Sequence, residues 1–107
     1  MADTNQLAGQ VNPTVNIETQ LYDCPDATTF SGVVHVCNQG DSDARFDIRI
    51  AIDNAAVDAK QYICKNRSIK AGETLKVDDI KLEADDRIYV KASTPNMSFQ
   101  AMGVETA

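Results

Sequence analysis

Residues 28–52 read TTFSGVVHVCNQGDSDARFDIRIAI, and their pattern sets the fold class of the chain. Two runs of β-branched and aromatic residues are separated by residues 38–43, which are almost all turn-formers. The second run alternates apolar with polar or small side chains, its apolar members being Phe46, Ile48, Ile50 and Ile52. A period of two is that of a strand with one face inward. The stretch therefore predicts two strands joined as a hairpin.

Runs of the same kind recur before and after this stretch. They cover residues 14–22, 62–69, 75–82, 88–92 and 97–104, with turn residues between them. The pair Asp78-Asp79 shifts the phase of one run by one residue, which indicates a bulge or a bend between short strands. About eight short runs without a helical pattern predict an all-β, single-domain antiparallel β-sandwich, jelly-roll-like in form.

The first 13 residues lack this alternation. They are polar, with Leu7 and Val11 as the only sizeable apolar side chains, and they end in Asn12-Pro13. We expect an N-terminal arm over residues 1–13 and the sandwich domain over residues 14–107. Such an arm is either disordered or lies along a neighbouring subunit.

The length, net charge and hydrophobic content of the chain argue against several classes of protein. A chain of 107 residues makes one domain, and its net charge of -6 argues against binding nucleic acid through phosphates. No apolar run approaches the roughly 20 residues that cross a bilayer, and the N-terminus lacks the basic and apolar parts of a signal peptide. We expect a protein made in a cytoplasm, with no nucleic-acid or membrane partner.

The three cysteines, Cys24, Cys37 and Cys64, match no zinc or thioredoxin-like spacing. We expect them to be reduced and to pack as small apolar groups. One disulfide is the alternative.

The single histidine, His35, is the only candidate for histidine-dependent catalysis. Strand parity places it on one face with Val33 and Cys37, and no partner pattern accompanies it. We expect a structural or surface side chain, and we assign no catalytic or cofactor-binding residue. The chain is predicted not to be an enzyme.

Acidic pairs lie in or beside the predicted turns. They are Asp41/Asp43, Asp78/Asp79 and Asp85/Asp86. Several carboxylates together can hold calcium, but Asp is favoured in turns because its side chain accepts backbone N–H bonds. None of these loops has EF-hand spacing, so no metal site is predicted.

A carbohydrate-binding module is an alternative, because sandwiches often bind sugars on exposed aromatic rings. The chain has no Trp, and only Tyr22, Tyr62 and Tyr89 offer a ring with a polar tip. The phenylalanines Phe30, Phe46 and Phe99 are expected in the core.

Three segments resemble small structural proteins of tailed phages: residues 28–52, KQYICKNRSIKAGETLKV and DDRIYVKASTPNMSFQAMGVE. The shared pattern is a strand, a V-C-N-x-G turn, an F-x-I-x-I strand, a G-D-x-I-x-V-x-A-S-T strand and an S-F-x-x-x-G strand. The matching residues are Val36, Cys37, Asn38, Gly40, Phe46, Ile48, Ile50, Asp86, Ile88, Val90, Ala92, Ser93, Thr94, Ser98, Phe99 and Gly103. The chain departs from the pattern at Asp85, where a Gly is expected, and at Cys24, which replaces an aliphatic residue.

This resemblance covers about residues 17–105, and it implies a virion component. The family includes capsid decoration (cement) proteins and tail-associated proteins, which assemble as oligomers. We therefore expect a non-enzymatic capsid decoration protein that binds the major capsid protein at subunit junctions and assembles as a homotrimer. A tail-associated structural protein is the alternative within the family.

Overall fold

The computed structural model describes residues 3–107, with side chains described for residues 9–53 and 55–107. The fold consists of two four-stranded antiparallel sheets packed face to face. The strands are β1 (Asp3–Val11), β2 (Thr19–Asp23), β3 (Thr29–Asn38), β4 (Ala44–Ala51), β5 (Tyr62–Ile69), β6 (Thr74–Leu82), β7 (Arg87–Ala92) and β8 (Met97–Thr106). Sheet A has the order β1-β8-β3-β6, and sheet B has the order β2-β7-β4-β5.

The topology is that of a jelly roll. The strands pair as one long folded ribbon, β1 with β8, β2 with β7, β3 with β6 and β4 with β5. The ribbon then rolls up through two further pairings, β3 with β8 and β4 with β7. Two 3-10 turns, Ile52–Asn54 and Ala59–Gln61, lie at the tip of the ribbon between β4 and β5. The predicted all-β sandwich of eight strands is thus confirmed.

The predicted hairpin between β3 and β4 is wrong. Both strands exist, but β3 lies in sheet A and β4 in sheet B. Each already has a neighbour on both sides, β8 and β6 for β3 and β7 and β5 for β4. The turn between them therefore crosses from one sheet to the other. A cluster of turn residues marks where the chain reverses but not which sheet it enters.

The expected arm over residues 1–13 is a strand of sheet A over Asp3–Val11. This strand pairs with β8 from Asp3 opposite Thr106 to Val11 opposite Phe99, with a register shift between Leu7 and Gly9. The described part of the sandwich therefore begins at Asp3 and not at residue 14. Because this edge strand is mostly polar, it lacks the alternation of apolar and polar residues by which the other strands were predicted.

The predicted strand over residues 14–22 is also shorter than expected. Strand β2 begins at Thr19, and the preceding segment forms a turn in which the N–H of Ile17 donates to the carbonyl of Thr14. Asn16 adopts a left-handed conformation with φ 57, which ends the extended pattern. Ile17 is consequently 56% exposed and not on an inward face.

The core lies between the sheets and contains most of the apolar residues that alternation placed on inward faces. Phe46 and Ile48 are buried in β4, and the edge of Phe46 faces the ring of Phe99 at 6.1 Å between centroids. Ile50 is only half-buried at the margin of the core. Ile52 is 69% exposed, contrary to expectation, because β4 ends one residue earlier and the chain turns.

The expected phase shift at Asp78-Asp79 is confirmed, but within one continuous strand. The register of β6 against β3 slips between Gly32 and Val34, and Asp79 has φ 61. This is a bulge that turns Ile80 into the core, where it is buried.

No disulfide joins the three cysteines. Cys24 and Cys64 are buried, as expected of small apolar groups. Cys37 is half-buried on the outer face of sheet A, so packing in the core does not describe it.

Candidate functional site

His35 lies on the outer face of sheet A, and it shares that face with Val33 and Cys37, as strand parity predicted. It is half-buried between Lys76 of β6 and Gln100 of β8, its partners on the neighbouring strands. None of the described hydrogen bonds or ion pairs joins it to a carboxylate, hydroxyl or thiol. The arrangement lacks the orienting group that a catalytic histidine needs.

Acidic side chains gather at one end of the sandwich and hold its loops. The carboxylate of Asp86 accepts the backbone N–H groups of Asp53 and Glu83, each at 2.9 Å. The negative charge of Asp26, and then its hydrogen bond, raise the pKa of Asp85. Within residues 3–107, no group of three or more His, Cys, Asp or Glu side chains is placed to hold a metal ion. Asp43 and Asp86 thus hold turns through backbone N–H groups, whereas Asp78 and Asp79 lie at the bulge within β6.

A buried hydrogen bond ties the two sheets together. The hydroxyl of Tyr22 in β2 donates to the carboxylate of Glu105 in β8, and its ring packs against Phe30 at 4.7 Å. Burial first, and then this hydrogen bond, raise the pKa of Tyr22 well above its usual value. Burial also raises the pKa of the neighbouring Cys24 thiol. A thiol with a raised pKa is a poor nucleophile, so this cluster is structural.

Positive charge is concentrated on sheet B. Its strands contain six of the ten Lys and Arg residues, namely Arg45, Arg49, Lys65, Arg67, Arg87 and Lys91. They contain only two acidic residues, Asp23 and Asp47. The strands of sheet A contain Lys76 and Lys81 against Asp3, Asp78, Asp79 and Glu105. One sheet of an acidic protein is therefore basic.

One cation on this sheet is fully engaged by its neighbours. Arg49 donates two hydrogen bonds to the carboxylate of Glu18, at 2.8 and 2.5 Å, and one to Gln61 at 2.7 Å. The bond to Glu18 raises the pKa of Arg49 further, although burial opposes it. These contacts fasten the segment before β2 and the tip of the ribbon onto the outer face of sheet B.

A hollow of about 240 Å³ opens on the same face between β4, β5 and β7. We call it the basic hollow, and its polar lining is Asn16, Arg45, Asp47, Lys65, Asn66, Lys91 and Ser93. The carboxylate of Asp47 accepts the backbone N–H of Asn66 at 2.6 Å and lies 3.5 Å from the ammonium of Lys65. The guanidinium of Arg45 donates to the carbonyl of Asn66 at 3.1 Å.

The tyrosines do not form an open platform for sugar rings. Tyr22 is in the core. On the outer face of sheet B, the ammonium of Lys65 lies 4.4 Å from the ring centre of Tyr62, and the guanidinium of Arg49 lies 4.2 Å from that of Tyr89. Because a cation covers one face of each ring, these rings are less accessible for stacking on a sugar.

A second, more apolar hollow of about 530 Å³ lies at the tip of the ribbon. It is lined by Ile50, Ile52 and Ile63 together with Ala55, Lys60 and Gln61. Ile52 and Ile63 are exposed. The described residues here include no titratable pair. They could pack against a partner, but they supply no acid–base pair.

Sequence reasoning placed the members of the basic hollow on the water-facing side of β4 and β7 but did not bring them together. The alternation that buries Phe46 sends Arg45 and Asp47 outward, and the one that buries Val90 sends Lys91 outward. Their proximity depends on two strand pairings. Strand β4 pairs with β7, which puts Asp47 opposite Lys91, and it also pairs with β5 through a bulged register. No local signal gives those pairings.

The sequence matches no known family model, and no curated protein is significantly similar to it. Within residues 3–107, no helix is long and apolar enough to cross a membrane.

Proposed function

We propose that the protein is a non-enzymatic structural component of a tailed-phage particle. In this role it decorates the capsid, binding the major capsid protein at subunit junctions on the outside and stabilising the shell. The protein is made in the host cytoplasm and acts in the virion. The resemblance of residues 17–105 to phage structural proteins is the sequence basis of the proposal.

One structural observation carries the non-enzymatic part of it. Several of the buried and half-buried polar side chains are used to hold the fold together. Asp86 holds two loops, Tyr22 and Glu105 join the sheets, and Glu18 neutralises Arg49. Side chains committed in this way leave a rigid body suited to docking.

The residues behind the resemblance also have roles that suit a shared fold. Asn38 is fully buried, and its side chain accepts the N–H of Gly40 and donates to the carbonyl of Ser42. Phe46, Ile88 and Phe99 are core residues from three strands. The resemblance therefore falls on positions that specify this jelly roll, and fold alone does not specify function.

The expected assembly is a homotrimer. Each sheet has two edge strands, β1 and β6 in sheet A and β2 and β5 in sheet B. Exposed edges favour pairing with another chain, and a closed ring of three subunits would cover some of them. Sedimentation equilibrium of the purified protein measures this directly, and a monomer at all concentrations would contradict the trimer.

The function is tested on purified particles. An antibody to this protein should label the capsid surface, and particles that lack the protein should release their genome at a lower temperature or after removal of salt. Particles containing none of the protein would refute the proposal. Labelling confined to the tail would replace capsid decoration by the tail-associated alternative.

A further inference from the structure

We propose that the basic hollow is the docking site for an acidic segment of a partner protein, whose carboxylates bind Arg45 and Lys91. The inference rests on the proposed function only for the identity of the partner. The hollow itself, and the chemistry that it favours, follow from the contacts of the residues around it.

The first argument is unbalanced charge. Among the described side chains, no carboxylate lies within ion-pair distance of Arg45 or Lys91. The one acid in the lining, Asp47, already accepts the N–H of Asn66 and faces Lys65. Three cations and one carboxylate therefore share one recess in a protein whose net charge is -6. An incoming carboxylate finds two cations without an acidic partner.

The second argument is the contrast with other cations of the same sheet. Arg49 has Glu18, and Arg87 has Asp23 at 3.4 Å. Arg67 also lacks a carboxylate partner among the described side chains, but it does not line the hollow, whereas Arg45 and Lys91 share that one recess. Two cations without a carboxylate partner in one recess favour the binding of a negatively charged ligand.

The third argument is that the hollow is held in shape. Asp47 fixes the backbone at Asn66, whose carbonyl in turn accepts a hydrogen bond from Arg45. The hydroxyl of Ser93 accepts the backbone N–H of Arg45 at 2.9 Å and retains its own proton for donation. A site that is organised before binding loses less entropy when a partner arrives.

An acidic protein segment suits this recess better than a sugar or a nucleic acid. The rings of Tyr62 and Tyr89, which a sugar would stack upon, each have a cation over one face. A long polyanion would continue past the hollow over a protein of net charge -6, in which ten of the sixteen Asp and Glu residues lie outside the strands, and it would be repelled there. A short run of Asp or Glu side chains can enter the hollow and stop there.

The direct test uses a labelled hexaglutamate peptide and the full chain, with binding followed by fluorescence anisotropy at low salt. The double variant Arg45→Gln/Lys91→Gln should bind the peptide about tenfold or more weakly, because each lost charged hydrogen bond weakens binding substantially. The matched control Lys76→Gln/Lys81→Gln removes the same charge from sheet A and should bind within about twofold of the wild type. Equal weakening in both variants would overturn the proposal, since it would show a general charge effect.

Two further probes identify the source of the anion. Inorganic phosphate and an oligogalacturonate of similar charge are titrated against the wild type under the same conditions. Tighter binding of either than of hexaglutamate would overturn the choice of an acidic protein segment. Thermal melts of both double variants should lie close to that of the wild type, because Arg45, Lys76 and Lys81 are exposed, Lys91 is half-buried, and the single bond from Arg45 to the Asn66 carbonyl is at the surface.

Loading onto particles separates this inference from the proposed function. Particles that lack the protein are mixed with the wild type or with either double variant. Failure of the wild type to bind would refute the proposed function and leave the peptide result standing. If the Arg45→Gln/Lys91→Gln variant binds the particles as well as the wild type does, the hollow is not the docking site.

Discussion

Asn38 is a fully buried polar residue that organises one end of the sandwich. Its amide nitrogen donates to the carbonyls of Ser42, at 2.9 Å, and Ile69, at 3.3 Å, and its amide oxygen accepts the N–H of Gly40 at 3.0 Å. One side chain thus holds the crossing between the sheets and the start of the turn after β5. Buried polar groups of this kind are costly to leave unpaired.

We therefore expect Asn38→Ala to lower the free energy of unfolding by on the order of 3 kcal/mol, because it leaves buried backbone groups without partners. Urea denaturation monitored by circular dichroism measures the change. The control is Gln39→Ala at the exposed neighbouring position, which should change stability by no more than about 0.5 kcal/mol. Similar results for the two variants would contradict the role of Asn38.

Phe46 is 1% exposed and packs against Phe99 between the sheets. Truncation to alanine removes apolar contact and leaves a cavity, so Phe46→Ala should cost on the order of 3 to 5 kcal/mol in urea denaturation. Ile52→Ala, at an exposed position two residues beyond Ile50, should cost less than about 1 kcal/mol. A small loss for Phe46→Ala would mean that the register of β4 is incorrect.

Tyr22 gives stability a dependence on alkaline pH. Because its pKa is raised in the folded protein, the unfolded chain loses the hydroxyl proton more readily. The contribution of Tyr22 is fully present below about pH 10 and is lost as pH rises beyond it, by up to about 1.4 kcal/mol per pH unit.

The Tyr22→Phe variant should be less stable than the wild type near neutral pH, and its stability should fall less steeply above about pH 10. Urea denaturation across this pH range provides the measurement. Tyr62→Phe, on the outer face, should retain the wild-type slope. Equal slopes for the wild type and Tyr22→Phe would exclude Tyr22 as the source of the dependence.

At the scale of elements, β1 depends on one close approach. A Cβ atom added at Gly9 would lie 2.1 Å from the carbonyl oxygen of Leu21 in β2. Gly9 also follows the register shift in the pairing of β1 with β8. The absence of a side chain there lets the edges of the two sheets come together.

Gly9→Ala should therefore detach β1 from the sandwich while leaving the other strands paired. Hydrogen exchange resolved by residue should show loss of protection across Asp3–Val11 and little change in β4 and β7. Gln10→Ala, an exposed change in the same strand, should leave protection intact. Unchanged protection of β1 in the Gly9→Ala variant would contradict the close approach.

At the scale of the whole molecule, the two ends of the chain contribute unequally. Strand β8 lies between β1 and β3 and supplies Met97, Phe99 and Ala101 to the core. Strand β1 lies at an edge and has one neighbour in its sheet. Strand β8 is therefore needed before sheet A can close.

Deletion of residues 97–107 should abolish folding, and deletion of residues 1–11 should leave a folded protein with a newly exposed edge at β8. Dispersion of amide proton signals in NMR spectra distinguishes the two outcomes. The variant without residues 1–11 is expected to aggregate more readily than the wild type, because β8 would then lack its outer partner. A folded protein without residues 97–107 would contradict this account.

The sequence predicted most of what depends on local alternation. The inward faces of β4, β7 and β8, the phase shift at Asp78-Asp79 and the placement of His35 on one face with Val33 and Cys37 follow from side-chain parity, which neighbouring residues determine. It failed at Ile17 and Ile52, where a turn interrupts an apolar pattern, and at β1, where the pattern of an edge strand is weak. It also joined β3 to β4, because turn residues alone do not reveal the partner of a strand.

By itself, then, the sequence determined the all-β class, the approximate positions of most strands and the faces that they bury. This is because an alternation with a period of two can be recognised in consecutive residues. Only the tertiary structure decided the jelly-roll pairing, the strand at Asp3–Val11 and the basic hollow. Arg45, Lys65 and Lys91 are far apart along the chain, and they meet because β4 pairs with both β5 and β7. Such pairings are set by burial of both sheets at once, which no short segment encodes.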